Sequence, residues 1–126
     1  MIIGIGIDII EIDRIAAAYA KSGERFTRRI LTPLEKEYCL QFTNPVPEIA
    51  ARFAAKEAFS KAIGTGISRG VAWRQIEVVK ERGRPPRIRV TGRAAEVLAR
   101  LEGGNIQLSL THAEAYAAAV VTIEKI

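Results

Sequence analysis

The first ten residues, MIIGIGIDII, restrict the fold more than any other stretch of the chain. The odd positions are all apolar, whereas the even positions include Gly4, Gly6 and Asp8, and this alternation predicts a β-strand. One face of the strand is bare backbone that leads to a single carboxylate. We therefore expect another group to lie against the glycines and meet Asp8. The alternative is that Asp8 caps the helix that follows.

A second stretch, RFAAKEAFSKAIGTGI, predicts a helix that approaches another group closely. Ala54, Ala58 and Ala62 recur at every fourth position, and such a stripe of small side chains lets a backbone or a ligand come near the helix axis. Glu57 and Lys61 form an i,i+4 pair on another face. On a solvated surface the pair would contribute about 0.3 kcal/mol, whereas in a crowded site it would carry chemistry.

The same helix ends in Gly64-Thr65-Gly66, which has two interpretations. Free backbone N–H groups around Thr65 would bind an anion. Alternatively, Gly64 is an ordinary helix C-cap. The sequence leaves both open.

The remaining pattern places helices before strands. Helices are expected from about Glu11 to Ser22, from a Thr32-Pro33-Leu34-Glu35 capping box to about Gln41, from near Glu48 and over Arg93–Leu101; strands are expected over Gln75–Lys80, Arg87–Thr91, Ile106–His112 and Tyr116–Ile123. Because the last four strands have only one crossover helix, we expect an α+β fold with a mainly antiparallel sheet. The length of 126 residues fits a single domain, residues 1–126.

A net charge of +5 and an isoelectric point of about 9.7 indicate an anionic partner. Nucleic acid, a phosphorylated small molecule and an acidic protein all satisfy this condition. Nucleic acid is disfavoured, because aromatic residues make up only 6% of the chain and Trp73 is isolated in the sequence.

Basic residues recur in two places. The first row aligns on one helix face if that helix resumes after Gly23, and it consists of Arg14, Lys21, Arg25 and Arg28. Such a row is either a solvated face or a docking surface for an acidic partner. The second group lies in and beside the hairpin loop and consists of Arg82, Arg84 and Arg87, which either protect a sheet edge or contact phosphate.

Cysteine usage and the apolar start of the chain bear on its location. The single Cys39 excludes an internal disulfide and a cysteine cluster for zinc, which fits a reducing cytosol. The apolar start lacks a basic region and a cleavage site, and it is shorter than the roughly 20 residues that span a bilayer. We expect a soluble, cytoplasmic enzyme or binding domain that does not contact membranes.

Three stretches together carry a resemblance to a known family: GIGIDIIEIDRI, RFAAKEAFSKAIGTGI and LSLTHAEAYAAAV. The chain resembles the holo-[acyl-carrier-protein] synthases, the short bacterial 4'-phosphopantetheinyl transferases, over nearly its full length. Gly83-Arg84-Pro85 is similar to the Gly-Lys-Pro that follows the family's hairpin. The resemblance implies transfer of 4'-phosphopantetheine from coenzyme A to a serine of apo acyl carrier protein, with release of adenosine 3',5'-bisphosphate, in fatty acid biosynthesis.

The resemblance also implies roles at the reacting centre. Asp8 and Glu57 match the family's Mg²⁺ ligands, and Mn²⁺ is a possible substitute. Attack on a pyrophosphate needs charge neutralisation, which a cation held by carboxylates and phosphate oxygens supplies. Lys61 matches the lysine that contacts the pyrophosphate. The proton acceptor is Glu57 or a metal-bound water beside it, and the sequence does not distinguish the two.

Coenzyme A and a carrier protein are the partners that the resemblance implies. The match places in the coenzyme A site Arg52, Lys61, Gly64, Thr65, Arg84, Ser109, Thr111 and His112, although no hydroxyl follows His112. The family forms a homotrimer with coenzyme A between subunits, and its basic first helix docks the acidic carrier protein. A metal-dependent nucleotide pyrophosphatase, with water as acceptor, is the rival enzyme.

Overall fold

The computed structural model describes residues 1–126. The chain forms, in order, β1 (Ile2–Glu11), α1 (Ile12–Ile30), α2 (Pro33–Cys39), α3 (Val46–Ala62), a 3₁₀ turn (Trp73–Gln75), β2 (Ile76–Val79), β3 (Arg87–Val90), α4 (Gly92–Arg100), β4 (Gly103–His112) and β5 (Tyr116–Lys125). The predicted α+β class is confirmed. None of the helices is long and apolar enough to cross a membrane.

All strand pairing is antiparallel, and it divides into two sheets. The larger sheet has the order β1-β5-β4, so the central strand is the last one in sequence. β1 pairs with β5 from Ile2 opposite Glu124 to Glu11 opposite Tyr116. The hairpin β2-β3 forms a separate two-stranded sheet.

Helix α3 packs on the glycine face of β1. A Cβ atom on Gly6 would overlap the carbonyl oxygen of Ala58, and one on Gly4 would overlap that of Ala62. Strand and helix backbones are therefore in direct contact, which only glycine facing alanine allows. The prediction that another element lies against the glycines is confirmed. The alternative that Asp8 caps α1 is wrong, because Asp8 lies inside β1 opposite Ala119.

The opposite face of the large sheet is apolar and uncovered. Ile5, Ile7 and Ile9 keep 66%, 67% and 64% of their surface exposed. Beside them, an apolar groove of about 160 Å³ is lined by residues that include Ile7, Ser109 and Val120. Isolated exposed isoleucines are ordinary, but a contiguous row on a flat sheet marks an interaction surface.

The helices follow their sequence signals with shifts at their ends. Thr32 and Glu35 form the predicted capping box at the start of α2. Helix α3 begins at Val46 rather than near Glu48, since the first helical turn tolerates proline. Helix α1 does not stop at Gly23: this glycine alone leaves helical geometry, at φ 48° and ψ −118°, and the helix resumes to Ile30.

A buried ion pair connects α2, α3 and the hairpin. The Lys56 ammonium lies 2.6 Å from a Glu35 carboxylate oxygen, and both side chains are fully buried. The second Glu35 oxygen accepts the Val78 N–H at 2.8 Å, and Lys56 also donates to the Trp73 carbonyl at 3.0 Å. Every polar atom of the pair is hydrogen-bonded, as burial of charge requires.

Candidate active site

Asp8, Glu57 and Lys61 converge where β1 crosses the C-terminal half of α3. The Lys61 ammonium donates to an Asp8 carboxylate oxygen at 3.1 Å and to the Ile7 carbonyl at 3.0 Å. Glu57 and Lys61 do not form the predicted i,i+4 ion pair, because the ammonium turns to Asp8 on the strand instead. The close glycine–alanine packing brings the strand carboxylate within reach of the helix lysine.

The electrostatics of this cluster are those of two carboxylates that share one cation. Burial raises the pKa of Glu57, the charge of Asp8 raises it further, and the charge of Lys61 opposes both. The carboxylates therefore repel one another, and an additional cation between them would relieve that repulsion. No group of three or more histidine, cysteine, aspartate or glutamate side chains is placed to hold a metal ion.

The segment after α3 is a helix cap. The N–H groups of Thr65 and Gly66 both donate to the Ser60 carbonyl at 3.1 Å, and that of Gly64 donates to the Lys61 carbonyl at 3.0 Å. Gly64 has φ 84°, the left-handed conformation of a helix C′ residue. The interpretation of these N–H groups as a free anion site is wrong, because the helix end uses all of them.

A second polar cluster lies at the N-terminal half of α3. Arg52 is buried, stacks 4.3 Å from the centre of the Tyr38 ring and donates to a Glu48 carboxylate oxygen at 3.0 Å. The other Glu48 oxygen lies 3.5 Å from His112 Nε2. These groups border a cavity of about 220 Å³, which is also lined by Ala51, Lys80, Pro86, Leu110 and Thr111.

The two clusters occupy different ends and faces of α3. Arg52 and Lys61 are roughly 13 Å apart along the helix axis, and at about 100° per residue their side chains leave opposite sides of the helix. One protomer thus presents two half-sites, an Asp8–Glu57–Lys61 cluster and an Arg52–His112 cavity.

Of the remaining predicted coenzyme A residues, Thr111 also lines the Arg52–His112 cavity, whereas Ser109 and Arg84 lie outside it. Ser109 and Thr111 belong to the exposed outer face of β4, whereas the intervening Leu110 faces inward. Arg84 is exposed at the hairpin loop and borders a cavity with Arg87 and Gln107. The structure of a single protomer does not bring these residues to Asp8 or Glu57.

A sequence model described as the 4'-phosphopantetheinyl transferase superfamily matches residues 4–121. The chain belongs to this superfamily. A curated holo-[acyl-carrier-protein] synthase of Koribacter versatilis is 49% identical to this transferase over 98% of its chain and 99% of the relative.

Solved structures agree with this placement. The crystal structure of holo-[acyl-carrier-protein] synthase from Neisseria meningitidis matches with a TM-score of 0.89 at 40% identity, covering 99% of this chain and 100% of the other. The synthase from Helicobacter pylori, in complex with coenzyme A, matches with a TM-score of 0.84 at 31% identity, covering 95% and 99%. The prediction of a phosphopantetheinyl transferase is confirmed.

The row of basic residues on α1 of this transferase is accessible. Its members, Arg14, Lys21, Arg25 and Arg28, are all exposed. The break at Gly23 separates the first two from the last two, so a straight helix does not describe their alignment. Their role in docking stays a prediction.

Sequence reasoning missed the other three polar residues that line the Arg52–His112 cavity: Glu48, Tyr38 and Lys80. The i,i+4 spacing of Glu48 and Arg52 was a signal for their ion pair. Tyr38 and Lys80 come from α2 and the end of the hairpin strand, and only tertiary packing brings them to α3. Trp73, isolated in sequence, packs against Phe53 with ring centres 4.6 Å apart.

Proposed function

We propose that this protein transfers 4'-phosphopantetheine from coenzyme A to a serine hydroxyl of apo acyl carrier protein. The observation that carries the proposal is the convergence of Asp8, Glu57 and Lys61 where β1 crosses α3 in a chain of this superfamily. The reaction breaks a pyrophosphate bond, and this cluster offers carboxylates beside a fixed cation. Fatty acid biosynthesis as the pathway, and the cytoplasm as the location, remain predictions.

The carboxylates of the cluster fit Mg²⁺. This cation commonly binds one or two carboxylates and completes its coordination with phosphate oxygens and water. Asp8 and Glu57 would be two such ligands: burial raises the pKa of Glu57, the charge of Asp8 raises it further, and a bound divalent cation would relieve that repulsion. When bound, Mg²⁺ would neutralise charge on the pyrophosphate. Mn²⁺ has the same ligand preferences and is an alternative.

The protein side chains supply charge and a proton acceptor. The Lys61 side chain is half-exposed, so its ammonium can turn from Asp8 to the phosphate of the leaving group. Glu57 lies one helical turn before it and has a raised pKa, which makes its carboxylate a better acceptor for the serine proton. We assign these two roles to Lys61 and Glu57.

The two half-sites on α3 face away from each other, so one coenzyme A molecule could contact both kinds of half-site only between two copies of the chain. Arg52 and His112 border a cavity on the side of α3 away from Lys61, and Ser109 and Thr111 lie on the uncovered outer face of the sheet. We propose a homotrimer in which the outer sheet faces pack together and coenzyme A lies between neighbouring copies. Exposed apolar strands and divided half-sites both support this arrangement.

The basic row on α1 is the proposed docking surface for the acidic carrier protein. Arg14→Glu should raise the KM for apo acyl carrier protein by about tenfold, because a like charge replaces an attractive one. The KM for coenzyme A should change less than about twofold. Arg100→Glu, an exposed reversal on α4, is the control. If Arg14→Glu changes only the coenzyme A constant, the docking assignment is wrong.

The deciding experiment is the intact mass of an apo acyl carrier protein after incubation with this protein, coenzyme A and Mg²⁺, with an EDTA control. We expect the mass gain of one phosphopantetheinyl group, lost with EDTA and lost in Asp8→Asn and Glu57→Gln variants that still fold. Cleavage of coenzyme A without modification of the carrier would favour the pyrophosphatase. Full activity in both variants would refute the site assignment.

A further inference from the structure

Glu48 places a fixed negative charge inside the basic Arg52–His112 cavity. Its two carboxylate oxygens face different side chains: one accepts from the Arg52 guanidinium at 3.0 Å and the other lies 3.5 Å from His112 Nε2. Only 18% of the Glu48 side chain is exposed, so the charge is weakly screened. Glu48 thus offsets part of the positive charge that the cavity presents to a ligand.

Arg52 does not need Glu48 alone to hold its position. The guanidinium lies over the Tyr38 ring and also donates to the Glu48 backbone carbonyl at 3.3 Å. Its Nε is buried without a hydrogen-bond partner. A buried N–H without a partner costs free energy. An anion bound in the cavity could accept hydrogen bonds from more of the Arg52 N–H groups than the Glu48 carboxylate does alone.

Coenzyme A carries two separate anionic groups, a pyrophosphate and a phosphomonoester. The proposed function places the pyrophosphate at the Lys61 cluster of one copy, and the divided half-sites leave the Arg52–His112 cavity of a neighbouring copy for the other anionic group. The phosphomonoester is the remaining group that an arginine, a lysine and a histidine around one cavity would recognise. Glu48 would then compete with it for the same donors.

We propose that Glu48 is a specificity-determining residue, a built-in carboxylate that weakens binding of the phosphomonoester end of coenzyme A and of the released adenosine 3',5'-bisphosphate. The inference rests on the proposed function. Since the product retains this phosphomonoester, weaker binding there speeds product release.

The test compares two nucleotides that differ only in the 3'-phosphate, which is the phosphomonoester that coenzyme A and the product share. Calorimetry would measure Kd for adenosine 3',5'-bisphosphate and for adenosine 5'-monophosphate with the wild type and with Glu48→Gln. We expect Glu48→Gln to bind the bisphosphate about tenfold more tightly, the size expected for removing one partly screened charge beside a dianion, and the monophosphate with less than a twofold change.

Matched controls separate local charge from other effects. Glu37→Gln removes the same charge from an exposed site on α2 outside the cavity lining and should leave both Kd values unchanged. His112 is the only histidine of the chain, so its ring proton resonances should move with the bisphosphate and not with the monophosphate. Glu48→Ala removes the side-chain hydrogen bond to Arg52 as well as the charge, and it should also bind the bisphosphate more tightly.

Three results would overturn the proposal: unchanged bisphosphate affinity in Glu48→Gln, equal tightening for both nucleotides, or weaker binding in both Glu48 variants. Weaker bisphosphate binding would mean that the main role of the Glu48 carboxylate is to hold Arg52 in position for the ligand. Failure of the proposed function is separate, because it appears as a wild-type protein that leaves the carrier protein unmodified, whatever Glu48 does.

Discussion

At the scale of single residues, the fold depends on a buried charge pair that is unrelated to the proposed reaction. Lys56 precedes Glu57 directly, yet its side chain donates to Glu35 and to the Trp73 carbonyl in the 3₁₀ turn rather than to Asp8. Burial lowers the pKa of Lys56, and the Glu35 carboxylate acts in the opposite direction. Of these two neighbouring charged residues of α3, Lys56 therefore stabilises the fold, whereas Glu57 belongs to the proposed reacting centre.

Removing the ammonium should destabilise the protein strongly. Lys56→Met leaves Glu35 buried with only backbone N–H partners, and loss of one member of a buried pair costs about 3–5 kcal/mol. Urea unfolding would measure this change. Lys36→Met, which breaks a more exposed pair with Glu24, should cost less than about 1 kcal/mol. Equal costs for the two variants would contradict a special role for the buried pair.

The one thiol of the chain should be inert in the folded state. Cys39 is fully buried, and burial raises its pKa to about 11. At pH 8 the native protein should therefore resist iodoacetamide, whereas urea-unfolded protein reacts within minutes. Intact mass against time measures both rates. Rapid alkylation without urea would show that the packing around Cys39 opens readily.

At the scale of elements, the contact between β1 and α3 decides whether the reacting groups meet. Gly6→Ala should destabilise the protein by about 3 kcal/mol or more, because the new Cβ overlaps the Ala58 carbonyl and one backbone has to move. Gly104→Ala is the control, since its Cβ would approach Ile126 no closer than 3.1 Å at the side chain and 3.3 Å at Cα, without the backbone overlap that Gly6 has. Thermal unfolding compares the two.

The displacement of β1 in Gly6→Ala should also lower the transferase activity. Moving β1 away from α3 shifts Asp8 relative to Glu57 and Lys61, so Gly6→Ala should lose activity under conditions in which it is still folded. A Gly6→Ala protein with wild-type stability would show that the strand and helix do not pack as closely as described.

Periodicity predicted nearly every element, but it did not predict how the ends and faces meet. The alternation in β1 and the stripe at Ala54, Ala58 and Ala62 each indicated a close approach, and the structure shows that they approach one another. The end of α3 was ambiguous, because a C-cap and an anion site use the same glycines and only the Ser60 hydrogen bonds distinguish them. Leu101, the apolar end of the predicted helix Arg93–Leu101, is the cap of α4 and is 42% exposed.

The reacting centre was predictable to a greater extent than the Arg52–His112 cavity. Asp8 and Glu57 follow directly from local patterns and from the resemblance. Tyr38 and Lys80 line the cavity from separate elements, and their spacing along the chain does not predict that they lie close together.

At the scale of the whole molecule, the exposed isoleucines of β1 predict assembly. Ile7→Asp should convert the proposed trimer to monomer, because an ionised carboxylate placed in an apolar interface is strongly unfavourable. Light scattering after size-exclusion chromatography measures the mass, and calorimetry should show weaker coenzyme A binding. Leu34→Asp, an exposed leucine on α2, is the control. A wild type that is monomeric with coenzyme A bound would refute the trimer.

The sheet order has a consequence for how the protein folds. β1 obtains its only strand partner from β5, and the Met1 carbonyl accepts a hydrogen bond from the Lys125 N–H at 2.8 Å. Contacts between distant parts of a chain raise the contact order and slow folding. During synthesis, the strand that carries Asp8 emerges before β5, and it has no strand partner until β5 has left the ribosome. The apolar row on β1 is exposed throughout that interval, so this strand is the segment of the nascent chain for which a chaperone would have the greatest use.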